Sequence, residues 1–383
     1  MALEIINIIK TYMEGEISIC IKVYLVAFVS LSYCYFAGKI VPKGTLRLFT
    51  LIPVICLNLL LPLPLHTMHL GGSTAFFLAW LANFKLLLFA SGKGPLSDPS
   101  LSLPRFIALA CLPIKIQQAT QFKNTNPSQN PLKDQIKENP SPKTSQKGLK
   151  SVWNYAIKCL LIAIILRVYE YSDHIHPYIL LGIYSCHIYF GLEIVLAIVG
   201  GLARALLGIE LEPQFDEPYL SSSLQDFWGR RWNIMVTRIL HPTVYLPVLQ
   251  TSARVIDRKW APLPAIFSTF MVSALMHELI FYYLGRMWPT WELTCFFLLH
   301  GVCLMVELVI KKAVSGRWRL PLIITGPCII GFVMVTAFWL FFPQFLRCNS
   351  MDRAIGEYTA MGAFVRDVGA ALTFKSVNNA TRV

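Results

Sequence analysis

The sequence predicts an all-α polytopic membrane protein of about eight transmembrane helices. Three observations predict it. Of the 383 residues, 55% are hydrophobic and only 14% are charged, whereas a soluble domain carries about 25% charged residues. Apolar runs of the length needed to cross a bilayer, about 20 residues, recur along the chain. Lys and Arg crowd into alternate connections, as they do where basic loops stay on the cytoplasmic side.

Taken in order, the expected spans are Ile17–Gly38, Leu48–Pro64, Leu70–Phe89, Val152–Tyr169, Tyr178–Ala203, Ala261–Leu284, Trp291–Ile310 and Leu322–Phe342. The first sixteen residues mix charge with apolar groups. No small-residue cleavage site precedes the first span, so no cleavable signal is expected. Leu103–Ile116 is too short to span and carries two prolines and two charges. It is expected to lie in the interface or to re-enter.

The connections 39–47, 92–150, 204–260 and 311–321 hold 23 Lys and Arg between them, and the intervening 65–69, 170–177 and 285–290 hold one, Arg286. This alternation supports eight spans with the basic loops cytoplasmic and both termini lumenal. It also accounts for most of the net charge of +13, so nucleic acid is not an expected partner. The stretch 121–147 is rich in Pro, Asn, Ser and Lys, without apolar periodicity, and reads as a disordered cytoplasmic loop. The tail 344–383 carries five Lys and Arg and an Asn379-Ala380-Thr381 sequon, which is reachable only on the lumenal side. The ten cysteines form no CxxC pair and read as small buried hydrophobes. No metal site and no separate cofactor are expected. No internal repeat of the kind found in many transporters is evident.

Ionisable groups at membrane depth are costly and mark function or partnered structure. Lys85, Lys158 and Arg167 lie near span ends, where they can snorkel to the headgroups. His187 is expected to hydrogen-bond across helices, and Glu193 to pair with a basic residue. His300 and Glu307 are seven positions apart, which places them on one helix face. His277-Glu278 sits in the middle of SALMHELIFY. The position that would complete a zinc-protease His-Glu-x-x-His is Phe281, so that motif fails. No Gly-x-Ser-x-Gly elbow is present either. A buried pair that only ties helices together is the bland alternative.

A second unusual stretch is Leu224–Leu240, LQDFWGRRWNIMVTRIL. It joins tryptophans, which favour the interface, to arginines, which favour phosphate. By composition alone it is an interfacial helix that anchors the loop. Upstream, Glu210–Phe215 and Pro218–Leu220 form a shaped connector.

Asp226–Asn233, followed some forty residues later by Met276-His277-Glu278, resembles the signature pair of the membrane-bound O-acyltransferases. Within them it is similar to the plant wax synthase branch, which lies close to plant enzymes that acylate sterols. Tyr33–Tyr35, Pro42–Gly44, Ala79–Lys85, Gly94–Leu96, Leu211–Pro213, Ser223–Trp228 and Arg317–Arg319 carry the resemblance along nearly the whole chain. It implies a single 1–383 domain enclosing an intramembrane catalytic chamber in the endoplasmic reticulum. It also implies transfer of a fatty acyl group from acyl-CoA to a lipid hydroxyl. His277 is then the general base and Asn233 assists. Trp228, Arg230, Arg231, Trp232, Glu278 and His300 are the candidate substrate-binding residues. The two arginines face either CoA phosphates or lipid headgroups.

The chemistry of these residue types agrees. A neutral histidine suits removal of an alcohol's proton near pH 7. The amide of Asn233 can donate to the oxygen that gains charge in the tetrahedral state. Glu278, 100° further round the helix, need not touch the same substrate. Phe296–Val302 (FFLLHGV) and Glu14-Gly15-Glu16 resemble wax synthases more than the sterol enzymes, a resemblance that implies a long-chain alcohol as acceptor, making a wax ester. A sterol acceptor is the alternative. A transporter built on the same intramembrane residues, and a lipid-binding protein without chemistry, are the more distant readings.

Overall fold

The structure is a computed structural model and describes residues 13–113, 143–208, 214–314 and 321–380. Among these it contains helices and no strand. Each of the eight expected spans is helical. They are α1 (Ser18–Ile40), α2 (Thr45–Leu60), α3 (Met68–Ala90), α5 (Lys143–Val168), α6 (Pro177–Leu207), α9 (Pro262–Gly285), α10 (Glu292–Ala313) and α11 (Leu322–Arg347). The short segment expected at the interface is helix α4 (Leu103–Cys111). Ile234–Leu240 (α7) and Leu246–Val255 (α8) follow the Trp-rich stretch, and Ser350–Ala380 (α12) ends the described chain.

Six of these helices are long and apolar enough to cross a membrane: that containing α1, then α3, α6, α9, α10 and α11. The apolar α2 has only 16 residues, and α5 carries basic residues towards both ends. The protein is thus an all-α, multi-pass membrane protein. The expected loop 121–147 lies outside the described residues up to 142, and its last five residues fall within α5. The Arg317–Arg319 and Leu211–Pro213 motifs and Thr381 of the sequon are likewise outside.

The chain forms two compact units. In the second unit, residues 114–210, α5 packs on α6. The half-buried Lys158–Glu193 ion pair links these two helices, which supplies the basic partner expected for Glu193. Tyr169 Oη and His187 Nδ1 lie 3.0 Å apart and cross-link the same pair of helices. Arg167 stays exposed and pairs with Glu170 at 2.8 Å.

The first unit, residues 1–113 with 211–383, holds the remaining helices. Here Lys85 departs from the snorkelling expectation. It is buried, and its amine donates to the carbonyls of Leu109 and Leu112. Those carbonyls end α4 and have no helical N–H to accept from; the Lys85 amine satisfies them both. Lys85 is thereby accommodated at depth because a short helix stops beside it. Arg286, the lone basic residue of the sparse connections, ends α9 in the left-handed region at φ 53°. Its guanidinium donates to the carbonyls of Leu63 and Leu65. Glu357 of α12 accepts from the backbone N–H groups of Met68 and His69, so it caps the start of α3. Burial pushes the Glu357 carboxyl up, but the donors from His69 and Met68 outweigh it and hold the group below its ordinary value.

Candidate active site

His277 lies midway along α9, with Ser273 and Ala274 buried one turn earlier. Its Nδ1 is 2.7 Å from the carbonyl oxygen of Ser273. A carbonyl only accepts, so Nδ1 carries the proton and Nε2 keeps its lone pair. The imidazole is held between two rings. Trp80 of α3 meets it edge-on, centroids 5.1 Å apart at 81°, and Phe297 of α10 lies 4.2 Å away at 35°. The side chain is only partly covered, so Nε2 is a base with one nitrogen fixed and one available.

The signature stretch reaches the same place by a different route. Ser223 caps a single turn by accepting from Asp226 N–H at 3.1 Å. The turn continues as a π-helical Phe227–Arg231, closed by Trp232 N–H to Phe227 O at 2.8 Å. Trp228 points inward. It packs in the apolar cluster of Phe270, Ala274, Phe296 and Phe297, with Phe297 at 5.8 Å. Phe297 therefore touches both Trp228 and His277 and joins the two signature motifs. Trp228 Nε1–H donates to His300 Nδ1 at 3.1 Å. His300 is fully buried, and its Nε2 is 2.8 Å from Thr336 Oγ1. Since Nδ1 accepts, Nε2 carries the proton and donates to Thr336, whose hydroxyl in turn donates to Phe332 O at 2.7 Å.

Asn233 sits in the left-handed region at φ 45°, ψ 60°, just before α7. Asparagine tolerates this conformation better than most residues. Its side chain does not cap the helix, and its Oδ1 is buried without a hydrogen-bond partner. Backbone bonds hold the position: Ile234 N–H donates to Gln214 O at 2.9 Å, and Asp216 N–H to Arg231 O at 3.0 Å. Among the described residues no hydrogen bond joins Asn233 to His277.

Three candidate substrate-binding residues make contacts within the protein. Glu278 accepts from Thr294 N–H at 3.1 Å and Thr294 Oγ1–H at 3.0 Å. It caps the open N–H groups of α10 because it faces 100° away from His277. Arg231 donates through Nε to Asp226 at 2.9 Å and through Nη1 to the carbonyls of Asp216 and Glu217. It braces the connector because the tight turn brings its guanidinium back over Asp226. Burial pushes the Asp226 carboxyl up, but Ser222 and Arg231 together hold it below its ordinary value. His300 has both ring nitrogens engaged, so it positions Trp228. Trp232 stacks on Phe227, centroids 5.6 Å apart at 12°. Arg230 is exposed and remains the guanidinium turned outward from this turn.

Several contributors carried no sequence signal of their own. Phe297 and Thr336 read as ordinary apolar-face residues. Glu307, grouped with His300 by its spacing, accepts from Leu224 N–H at 2.8 Å and so fixes the start of the signature turn. Trp80 lies mid-span, away from the interfaces that tryptophan favours, and that position was a usable signal.

A cavity of about 760 Å³ is lined by the start of α2, the end of α3, Pro242, Thr243, Val244 and Pro247, and by Val272 of α9. Its lining is mainly apolar, with Thr45, Ser91, Lys93 and Thr243 as polar members. It shares helices α3 and α9 with Trp80 and His277, and neither residue lines it.

Comparison with known proteins agrees with this geometry. Residues 211–299 match the profile described as Membrane bound O-acyl transferase family, a segment that contains both Asn233 and His277. An acyl-CoA–sterol O-acyltransferase 1 of Arabidopsis thaliana is 47% identical, covering 92% of this chain and 98% of that protein. The long-chain-alcohol O-fatty-acyltransferase of Simmondsia chinensis is 45% identical, covering 91% and 95%. A probable long-chain-alcohol O-fatty-acyltransferase 1 of Arabidopsis thaliana is 43% identical, covering 90% and 96%. Similarity over nine-tenths of its length to such enzymes identifies the chain as an acyltransferase belonging to the membrane-bound O-acyltransferase family.

Proposed function

We propose that the enzyme transfers a fatty acyl group from acyl-CoA to the hydroxyl of a long-chain alcohol, giving a wax ester and free CoA, in the endoplasmic reticulum membrane. The observation that carries the reading is the fixed tautomer of His277. Its Nδ1–H is held by Ser273 O, which leaves Nε2 as a lone-pair acceptor inside a membrane span. The alcohol oxygen attacks the thioester carbonyl carbon as Nε2 takes the hydroxyl proton. A carbon–oxygen bond forms, and the carbonyl π pair moves onto oxygen. Collapse of this intermediate breaks the carbon–sulfur bond, and the proton on Nε2 passes to the leaving sulfur. Asn233, whose side-chain oxygen has no other partner, engages polar atoms of the substrates. The apolar cavity beside α3 and α9 takes a fatty chain, and Arg230 meets phosphate at the cytoplasmic face. No cofactor beyond the activated donor is needed. Placing the reaction in the membrane brings two greasy substrates together and excludes water, which would hydrolyse the thioester.

A sterol acceptor is the second reading, favoured by the 47% identical sterol O-acyltransferase. One assay separates the two. Membranes of a host lacking such enzymes receive labelled acyl-CoA with long-chain alcohols, sterols or diacylglycerol offered singly. Wax ester that disappears in His277→Ala at normal abundance is the expected result. Steryl ester lost in the same variant keeps the mechanism and changes the acceptor. Ester formation surviving His277→Ala above about 1% of wild type, far more than removal of a general base worth 10²- to 10⁴-fold should leave, refutes the base assignment.

A further inference from the structure

Trp80 is 2% exposed, and its indole Nε1 has no hydrogen-bond partner. A buried N–H without an acceptor is costly, and more so at membrane depth, where little water can stand in. The fold satisfies the comparable group elsewhere: the Trp228 indole donates to His300. It also satisfies the next polar side chain on α3. Asn83 donates to the carbonyls of Ile55 and Ala79 and accepts from Asn58 at 2.9 Å. Trp80 is therefore an exception beside Asn83 and Lys85, the buried polar neighbours on its helix that do find partners.

Its position gives the exception meaning. The Trp80 ring lies beside that of His277, nearly perpendicular to it with centroids 5.1 Å apart, and it sits in the π-helical Ala75–Ala82 segment of α3. Such segments often occur at functional sites. His277 is walled by Phe297 on another side, which offers no donor. An indole N–H only donates, so its complement is an acceptor that arrives with substrate. In the proposed reaction the atom that gains negative charge is the thioester carbonyl oxygen. A preplaced donor is worth most where charge develops.

We infer that the Trp80 indole N–H donates to the thioester carbonyl oxygen of the bound acyl-CoA and stabilises the tetrahedral intermediate, which makes Trp80 a further catalytic residue. This rests on the acyl-transfer reading with His277 as base. When the alcohol attacks, the pair displaced onto the carbonyl oxygen is met by Trp80 N–H, while His277 Nε2 holds the hydroxyl proton. When the carbon–sulfur bond breaks, that pair returns to the carbonyl, and the sulfur leaves as thiol with the proton from Nε2. Trp80 releases no proton and is unchanged at the end.

The test uses the full-length enzyme with Trp80→Phe, and with benzothienylalanine at position 80, which keeps the bicyclic shape and replaces N–H by sulfur. Turnover should fall about 100-fold in both, the scale of losing one oxyanion donor, with the KM for acyl-CoA within about threefold and normal abundance for at least the benzothienyl protein. A second readout is binding alone. Wild type should prefer a 2-oxoalkyl-CoA ketone over the alkyl-CoA thioether that lacks a carbonyl, and both substituted proteins should lose that preference. Wild-type turnover in the benzothienyl protein, or an unchanged preference for the ketone, overturns the inference. If His277→Ala keeps its turnover, or no acceptor yields ester with wild type, the parent reading fails instead.

Discussion

Replacing Glu278 separates a structural cap from a substrate contact. Its carboxyl oxygen accepts both donors of Thr294, at 3.1 and 3.0 Å, in the first turn of α10. Glu278→Ala removes a helix cap, worth about 0.5–2 kcal/mol, and strands a buried donor, at about 1–3 kcal/mol. About 3 kcal/mol is the expected loss. Glu278→Gln keeps an acceptor oxygen and removes only the charge near a helix N-terminus, about 1 kcal/mol. At about 1.2 °C per kcal/mol, from an unfolding entropy of about 2.1 cal/mol/K per residue over 383 residues, the alanine variant should melt roughly 4 °C lower and the glutamine variant roughly 1 °C lower. The assay is thermal unfolding of detergent-solubilised protein, followed by its loss of monodispersity, run beside ester formation. Glu278→Gln should keep turnover within about threefold, since the tautomer of His277 is set by Ser273 O and not by Glu278. An unchanged melting point with turnover down a hundredfold would refute the reasoning and place Glu278 against the substrate.

Two further predictions concern the supports of the site. His300→Phe keeps a ring beneath Trp228 but leaves the buried Trp228 N–H unpaired; a loss of about 1–3 kcal/mol is expected, with reduced turnover, and unaltered melting would show that His300 does not hold the indole. Glu357→Gln should weaken the docking of α12 on α3 by about 0.5–2 kcal/mol, the worth of a helix cap. Because the folded pKa of Glu357 lies below its ordinary value, its contribution is complete above the unfolded carboxylate pKa and is lost as pH falls through the folded one. The wild-type melting point should therefore drop on acidification by more than that of Glu357→Gln, and parallel curves would contradict the cap.

Much of this protein was legible because a bilayer restricts what a sequence can do. Backbone groups at depth must be paired within the segment, so an apolar run reads as a helix, and all eight expected runs are helical. His277 stood out because nothing about packing requires an imidazole in SALMHELIFY. Individual side-chain partners were not legible in the same way. Lys85 was read from its distance to a span end, but its partners are carbonyls of α4, more than twenty residues away in sequence. Glu278 and Arg231 were grouped with the substrate because charged residues beside a signature suggest it. The contacts they make within the protein, Glu278 with Thr294 and Arg231 with Asp226 and the carbonyls of Asp216 and Glu217, exist only in the folded chain. Trp80 illustrates the converse: its motif was visible, while the missing partner of its N–H exists only in three dimensions.

The site also depends on spacing that neither signature contains. On α10, Thr294 binds Glu278, Phe297 packs on His277, His300 holds Trp228, and Glu307 holds the backbone of Leu224. From Phe297 to Glu307 these positions advance by three, four and three residues, with Leu304 in the shared apolar cluster, so they form one face. Ten residues of helix measure about 15 Å, which sets how far the start of the signature turn lies from the ring packed on His277. α10 thus works as a ruler between the His277 imidazole carried by α9 and a turn carried by the connection before it. The connection's own helical segments are short, and α9 meets the turn through Phe270 and Ala274, which pack on Trp228. An insertion or deletion of one residue between Phe297 and Glu307 would rotate His300 or Glu307 by 100° and release the turn while leaving both signatures intact. Presence of the two motifs is therefore necessary for this centre, and the register of the helix between them is what makes it one centre.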